Sequence, residues 1–201
     1  MAEGRDGTAP QGVGGGLLDV FVARAMEAGA RVRRASSLAS LGEQVVELVR
    51  ELGAARMVRA NTALLEELDL DAALAGAGVA IEVADLRRDE ASAEALRAAS
   101  AAADLGISVA DAGIAETGTL VFRHCPGQGR ALSLLPPVHV ALLRARDLVA
   151  DLGVFFEDVT REDRALESAL TFVTGPSRTA DIEMVLTQGV HGPAHLHILT
   201  L

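Results

Sequence analysis

Apolar and polar positions along this chain follow two periods. Leu38, Leu41, Val45, Leu48, Val49 and Leu52 recur at helical spacing and Gly53 follows as a stop, predicting a helix between them. Leu17, Leu18, Phe21 and Ala25 predict a shorter helix over Leu17–Ala28, and further helices are predicted over Thr62–Leu68, with Thr62 as cap, and Glu90–Ala103. Between these lie short apolar runs of strand length: Arg56–Ala60, Val79–Val83, Gly106–Ala110, Thr119–Arg123 and Val138–Leu143. Towards the C-terminus the pattern predicts helices over Ala145–Leu152 and Thr160–Ala169, then strands at Leu170–Thr174 and His195–Leu199.

Short strands alternating with helices define an α/β fold with a mostly parallel sheet. Thr119–Arg123 and Val138–Leu143 follow Gly106–Ala110 with little helix between them, so some antiparallel pairing is expected there. Residues 1–16, MAEGRDGTAPQGVGGG, are Gly-rich and polar and read as a disordered tail, leaving 17–201 as a single domain. There is no internal repeat.

The densest cluster of polar chemistry lies in Thr174–Pro193, TGPSRTADIEMVLTQGVHGP. Gly175-Pro176 ends the preceding strand, and Pro fits the first position of a helix. Ser177, Thr179, Asp181 and Glu183 suit a helix N-terminus; Ile182, Val185 and Leu186 supply an apolar face, and Gly189 an end. A strand leading into a helix start is a common anion-binding arrangement in α/β proteins.

Composition narrows the function classes. Net charge is −10, which argues against non-specific nucleic-acid binding and a polybasic membrane anchor. All 18 basic residues are arginine, so a local basic pocket stays open. Trp and Tyr are missing and Phe numbers five, leaving few rings for stacking on bases or sugars. One cysteine, Cys125, forms no intrachain disulfide, CxxC zinc site or all-cysteine cluster. No apolar run approaches the roughly 18–20 residues of a membrane span, and the N-terminus has no secretory core, so a cytoplasmic protein is expected.

Three polar loops are candidates for a site. In Asp111–Thr119, Glu116 precedes a strand among small residues, where it can act as base, nucleophile or ligand acceptor, with Thr117, Gly118 and Thr119 as binding residues. A turn whose Glu and Thr satisfy backbone donors is the plainer reading. In Ser133–His139, Ser133 is a binding candidate and His139 a proton carrier or ligand donor, against a plain strand-edge histidine. In the third loop Thr174, Gly175, Ser177, Arg178, Thr179 and Asp181 surround an anion, against simple capping and a surface Arg. If Leu170–Thr174 and Gly106–Ala110 end on one edge of a parallel sheet, Ser177 and Arg178 approach Glu116 and Thr117. No Walker loop or GxGxxG fingerprint is present. His191, His195 and His197 have no carboxylate helper at ligand spacing, so no metal site is expected, and Cys125 beside His124 has no identifiable base.

The blocks GIAETGTLVF (113–122), SLLPPVH (133–139) and TGPSRTADIEMVLTQGVHGPAHLHILTL (174–201) resemble the signature blocks of the LUD domain family, in its stand-alone lactate-utilisation C-type form. The resemblance carries specific motifs from about Leu105 to Leu201 and rests on layout alone before that. It implies a three-layer α/β fold, a mostly parallel sheet flanked by helices, similar to the NagB/RpiA/CoA-transferase-like group. It also implies a non-iron–sulfur subunit of a cytoplasmic system oxidising L-lactate to pyruvate, with the clusters on cysteine-rich partner subunits and no cofactor held by this chain. A small anionic ligand or a sibling subunit would occupy the three-loop site. The alternative is an independent enzyme on a sugar-phosphate or CoA-ester-type substrate, using Glu116 as base or nucleophile. The resemblance supplies no catalytic residue.

Overall fold

The computed structural model describes residues 16–84, 89–161, 169–180 and 186–201. In chain order the elements are α1 (Leu17–Glu27), β1 (Arg31–Arg34), α2 (Leu38–Glu51), β2 (Arg56–Arg59), α3 (Ala63–Glu67), α4 (Leu70–Ala75), β3 (Ala80–Val83), α5 (Glu90–Ala102) and β4 (Leu105–Val109). Then follow β5 (Ala112–Ile114), β6 (Thr119–Arg123), α6 (Ala131–Leu134), β7 (Val138–Leu143), β8 (Leu148–Val149), α7 (Leu152–Arg161), β9 (Leu170–Val173), β10 (Arg178–Ala180), β11 (Leu186–Gln188) and β12 (His195–Thr200).

The helical spacing of α2 translates directly into burial. Leu41, Val45, Leu48 and Val49 form its inner face, the Ser37 hydroxyl accepts the Ser40 N–H, and Gly53 takes a left-handed conformation just past its end. Six strands form a wholly parallel sheet in the order β1-β12-β7-β4-β2-β3, as the α/β reading requires. On one face Leu105, Ile107, Val140, Leu142 and Leu199 pack with α2, α3 and α4. On the other, Ala110, Ala141, Leu143, Leu196 and Ile198 pack with Phe21 and Ala25 of α1 and with Leu120 and Phe122 of β6. Among the described residues no helix is long and apolar enough to cross a membrane.

The antiparallel pairing expected around Gly106–Ala110 takes a different form. β4 and β7 are parallel neighbours, and residues 110–137 between them supply the crossover. Within it β6 leaves the main sheet and joins a second one, β8-β5-β6-β9, in which β5–β6 and β6–β9 are antiparallel. The expected placing of Leu170–Thr174 in the parallel sheet is therefore corrected: β9 is antiparallel to β6 in the second sheet.

One strand was not anticipated, and three further expectations are overturned. β1 has a polar sequence, RVRR, because it is an edge strand: Arg33 is salt-bridged to Glu47 and Glu51, Arg34 to Asp19, and Val32 packs inward. Residues 145–149 form a 3-10 turn followed by β8, and the helix starts later, where the Asp151 carboxylate accepts the Val154 N–H. Thr160 is therefore no cap; it lies in the last turn of α7 and donates to the Phe156 carbonyl. Lastly, the stretch after Gly175-Pro176 contains a strand pair instead of the expected helix start and end: β10 and β11 pair antiparallel, Arg178 opposite Gln188. Ser177 explains why. Its N–H donates to the Pro193 carbonyl and its carbonyl accepts the Gly189 N–H, so both backbone groups are committed to a distant loop and unavailable to a helical turn. Asp181, with Ile182, Glu183 and Val185, lies outside the described residues.

Candidate functional site

The two threonine–glycine segments of the chain meet on the last turn of α1. The β6–β9 register sets Leu120 opposite Val173, which brings Thr119 beside Thr174. Three hydroxyls then run in a chain, Thr117 to Thr119 to Thr174, at 2.7 Å each. Gly118 and Gly175 both have positive φ, and each lies directly against α1 backbone: a β-carbon on Gly118 would stand 2.2 Å from the Ala25 nitrogen, and one on Gly175 2.2 Å from the Ala28 carbonyl oxygen. The Glu116 turn and the Gly175–Arg178 loop are thus neighbours through antiparallel pairing, not through the shared edge of a parallel sheet.

A cavity of about 290 Å³ opens beside this junction. Of the residues singled out from sequence, Ser133, His139, Thr174, Gly175, Ser177 and Arg178 line it. Glu116 and Thr117 are exposed in the β5–β6 turn and are not among its lining residues, and neither are Gly118, which packs on α1, and Thr119, which bonds Thr174 of the lining. Thr179 belongs to β10, and nothing is described of its side chain. Arg178 is exposed at the cavity mouth, its guanidinium lying over Gly29 in the α1–β1 turn. A wider groove of about 1170 Å³ between α2 and the α3–α4 region holds none of the candidates, and its Glu47, Glu51 and Glu67 are ion-paired to Arg33 and Arg144.

His139 closes the inner end. It is 1% exposed, its Nε2 lies 2.7 Å from the Ser108 hydroxyl, and the Phe122 ring stands 5.3 Å away. Burial pushes its pKa down to about 3. In its neutral form the ring has one N–H donor and one acceptor nitrogen. His124, just outside, donates from Nδ1 to the Gln128 carbonyl and so accepts from the Thr171 hydroxyl at Nε2; burial lowers its pKa as well.

Several residues in the cavity lining or behind it had no site role assigned from the sequence. Ser108 was detectable as the one hydroxyl on the strand face shared with Gly106 and Ala110, inside an otherwise apolar run. Thr171 and Phe172 line the cavity without any local motif, and His191, weighed in the sequence only as a metal ligand, lines it too. His195 and His197 sit on β12 apart from His191, and among the described residues no three His, Cys, Asp or Glu side chains gather as a metal site. Among the described residues the His197 Nε2 is buried without a hydrogen-bond partner, and burial, with Arg31, Arg33 and His195 nearby, lowers its pKa to about 4. Cys125 is exposed in a turn bridged to Gln128.

These buried histidines set a pH response. In the unfolded chain a histidine titrates near 6.5. His139 and His197 titrate below that when folded, so the unfolded state binds more protons as pH falls from about 6.5. Stability is therefore full above that pH and is lost on acidification towards pH 4, with His139 alone contributing a slope of up to about 1.4 kcal/mol per pH unit. Urea unfolding from pH 7.5 to 4.5 should show this fall, and His139→Gln should flatten it; an equal slope in the variant would contradict the assignment.

Residues 18–201 match the family model described as the LUD domain. The chain is 40% identical over 111 residues to lactate utilization protein C of Exiguobacterium sp., an alignment covering 54% of this chain and 48% of that protein. It is 33% identical over 155 residues to lactate utilization protein C of Anoxybacillus flavithermus, covering 77% of this chain and 67% of the relative. In several such alignments the chain spans less than half the length of the curated relative. A crystal structure of a DUF162 family protein from Deinococcus radiodurans superposes with a TM-score of 0.62 at 27% identity, covering 92% of this chain and 95% of that one.

Proposed function

We propose, from the premise that this chain belongs to the LUD domain family, that it is the non-iron–sulfur component of a cytoplasmic system oxidising L-lactate to pyruvate, and that it holds a small carboxylate in the cavity under Arg178. The names of its relatives support the lactate role. The observation that carries the binding role is the convergence of Ser133, His139, Thr174, Ser177 and Arg178 on one small cavity from separate parts of the chain. Arginine and hydroxyls at the mouth, with a neutral donor inside, suit a small anion. Glu116 stands outside the cavity lining, which favours binding over turnover by that carboxylate. One cysteine cannot hold a four-cysteine cluster, so electron transfer falls to cysteine-rich iron–sulfur partner subunits. Deleting the gene should abolish growth on L-lactate as sole carbon source, and the wild-type chain should restore it. A deletion strain growing on L-lactate like its parent would defeat the reading.

A further inference from the structure

The pair Ser108–His139 at the inner end of the cavity has a definite proton arrangement. Both residues are 1% exposed, and the Ser108 hydroxyl and His139 Nε2 are 2.7 Å apart. Only two arrangements make that contact a hydrogen bond. If Nε2 carries the proton and donates to Ser108, the serine hydroxyl proton needs another acceptor, and among the described residues Ser108 Oγ makes no other hydrogen bond. A buried hydroxyl left without an acceptor costs about 1–3 kcal/mol. If Ser108 donates to Nε2, the hydroxyl proton and Nε2 are both satisfied and the ring proton must sit on Nδ1. Nδ1 has no hydrogen-bond partner among the described residues, yet it is not one of the buried polar atoms sealed without a partner, as His197 Nε2 is. The ring lines the cavity, and Phe122 braces its other side.

We propose that Ser108 is a positioning residue that locks His139 as the Nδ1–H tautomer, so that the inner end of the cavity offers a neutral N–H donor to an acceptor oxygen of a small carboxylic acid. The ligand half of this statement rests on the functional reading above; the tautomer half does not. Charge is then divided within the site: the cation, Arg178, stands at the exposed mouth, and the buried end holds a donor without charge. Such an end accepts a carboxylate or carbonyl oxygen and offers nothing to an ammonium or other pure donor, which excludes amines of the same size. Burial, which keeps the ring neutral, makes the arrangement independent of pH across the physiological range.

The test is ¹⁵N-histidine NMR on the full chain, reading the His139 ring nitrogens between roughly pH 5 and 8, where an unperturbed histidine titrates. The wild type should show the Nδ1–H tautomer with no titration. Ser108→Ala should admit the Nε2–H tautomer, and Ser108→Thr, which keeps the hydroxyl, should retain Nδ1–H. A wild-type Nε2–H ring, a His139 that titrates in this window, or a Ser108→Ala spectrum identical to wild type would overturn the assignment. Adding L-lactate or pyruvate should shift the Nδ1 resonance. A locked Nδ1–H ring that stays unmoved at saturating acid would overturn the ligand half and the functional reading while leaving the tautomer in place.

Discussion

Gly118→Ala is expected to destabilise the protein by about 2–5 kcal/mol. Two costs combine. The left-handed backbone at Gly118, φ +65°, costs a residue with a β-carbon about 1–2 kcal/mol. The new carbon also meets Ala25 nitrogen at 2.2 Å and Ala25 Cα at 2.6 Å, and these are helix backbone atoms with no side-chain freedom to yield. Displacing packed structure in this way costs about 1–3 kcal/mol more. Gly53 is the internal control, with nearly the same φ, +63°, and nothing within 4 Å of its added carbon. Gly53→Ala should therefore carry the backbone cost alone. The comparison is read from urea midpoints at unchanged slope. Equal losses for the two variants would mean that the Glu116 turn is not docked on α1 as described.

Arg178→Gln is expected to weaken binding of a small carboxylate roughly tenfold to a hundredfold while leaving stability within about 0.5 kcal/mol. A hydrogen bond to a charged group contributes about 1.5–3 kcal/mol, which converts to that range of affinity. The side chain is exposed, so its removal should cost the fold little. Arg178→Lys should recover only part of the affinity, because an ammonium cannot make the two parallel bonds of a guanidinium to a carboxylate. Titration calorimetry with circular dichroism as a folding control separates the two effects. Unchanged affinity in Arg178→Gln would remove Arg178 from the site.

What the sequence disclosed, and what it hid, follows from where the decisive interactions lie. α2 was legible because its buried face is apolar, and periodicity reports that directly, whereas α5 was legible as an Ala-rich run whose buried positions include Ser92 and Ser100. β7 was legible as an apolar run because both its faces are covered. β1 was hidden by its arginines, whose carboxylate partners lie on α1 and α2 and cannot be seen in a four-residue window. The stretch after Gly175 was misread for the same kind of reason. Its Gly-Pro, capping residues and i, i+3, i+4 apolar spacing satisfy the local rules for a helix, yet the backbone of Ser177 bonds to Gly189 and Pro193 instead. The candidate site was legible as far as it was built from loops dense in polar residues: Ser133, His139, Thr174, Ser177 and Arg178 do share a cavity. Ser108 was passed over because a hydroxyl inside a strand has no motif; only the fold brings it to His139.

Titration calorimetry of L-lactate and of pyruvate against the wild-type chain tests the cavity most directly. A saturable heat with one site per chain, weakened at least about tenfold in Arg178→Gln, is the predicted result. A wild-type protein that takes up neither acid, or takes up either one equally well without Arg178, would contradict a carboxylate site at this cavity.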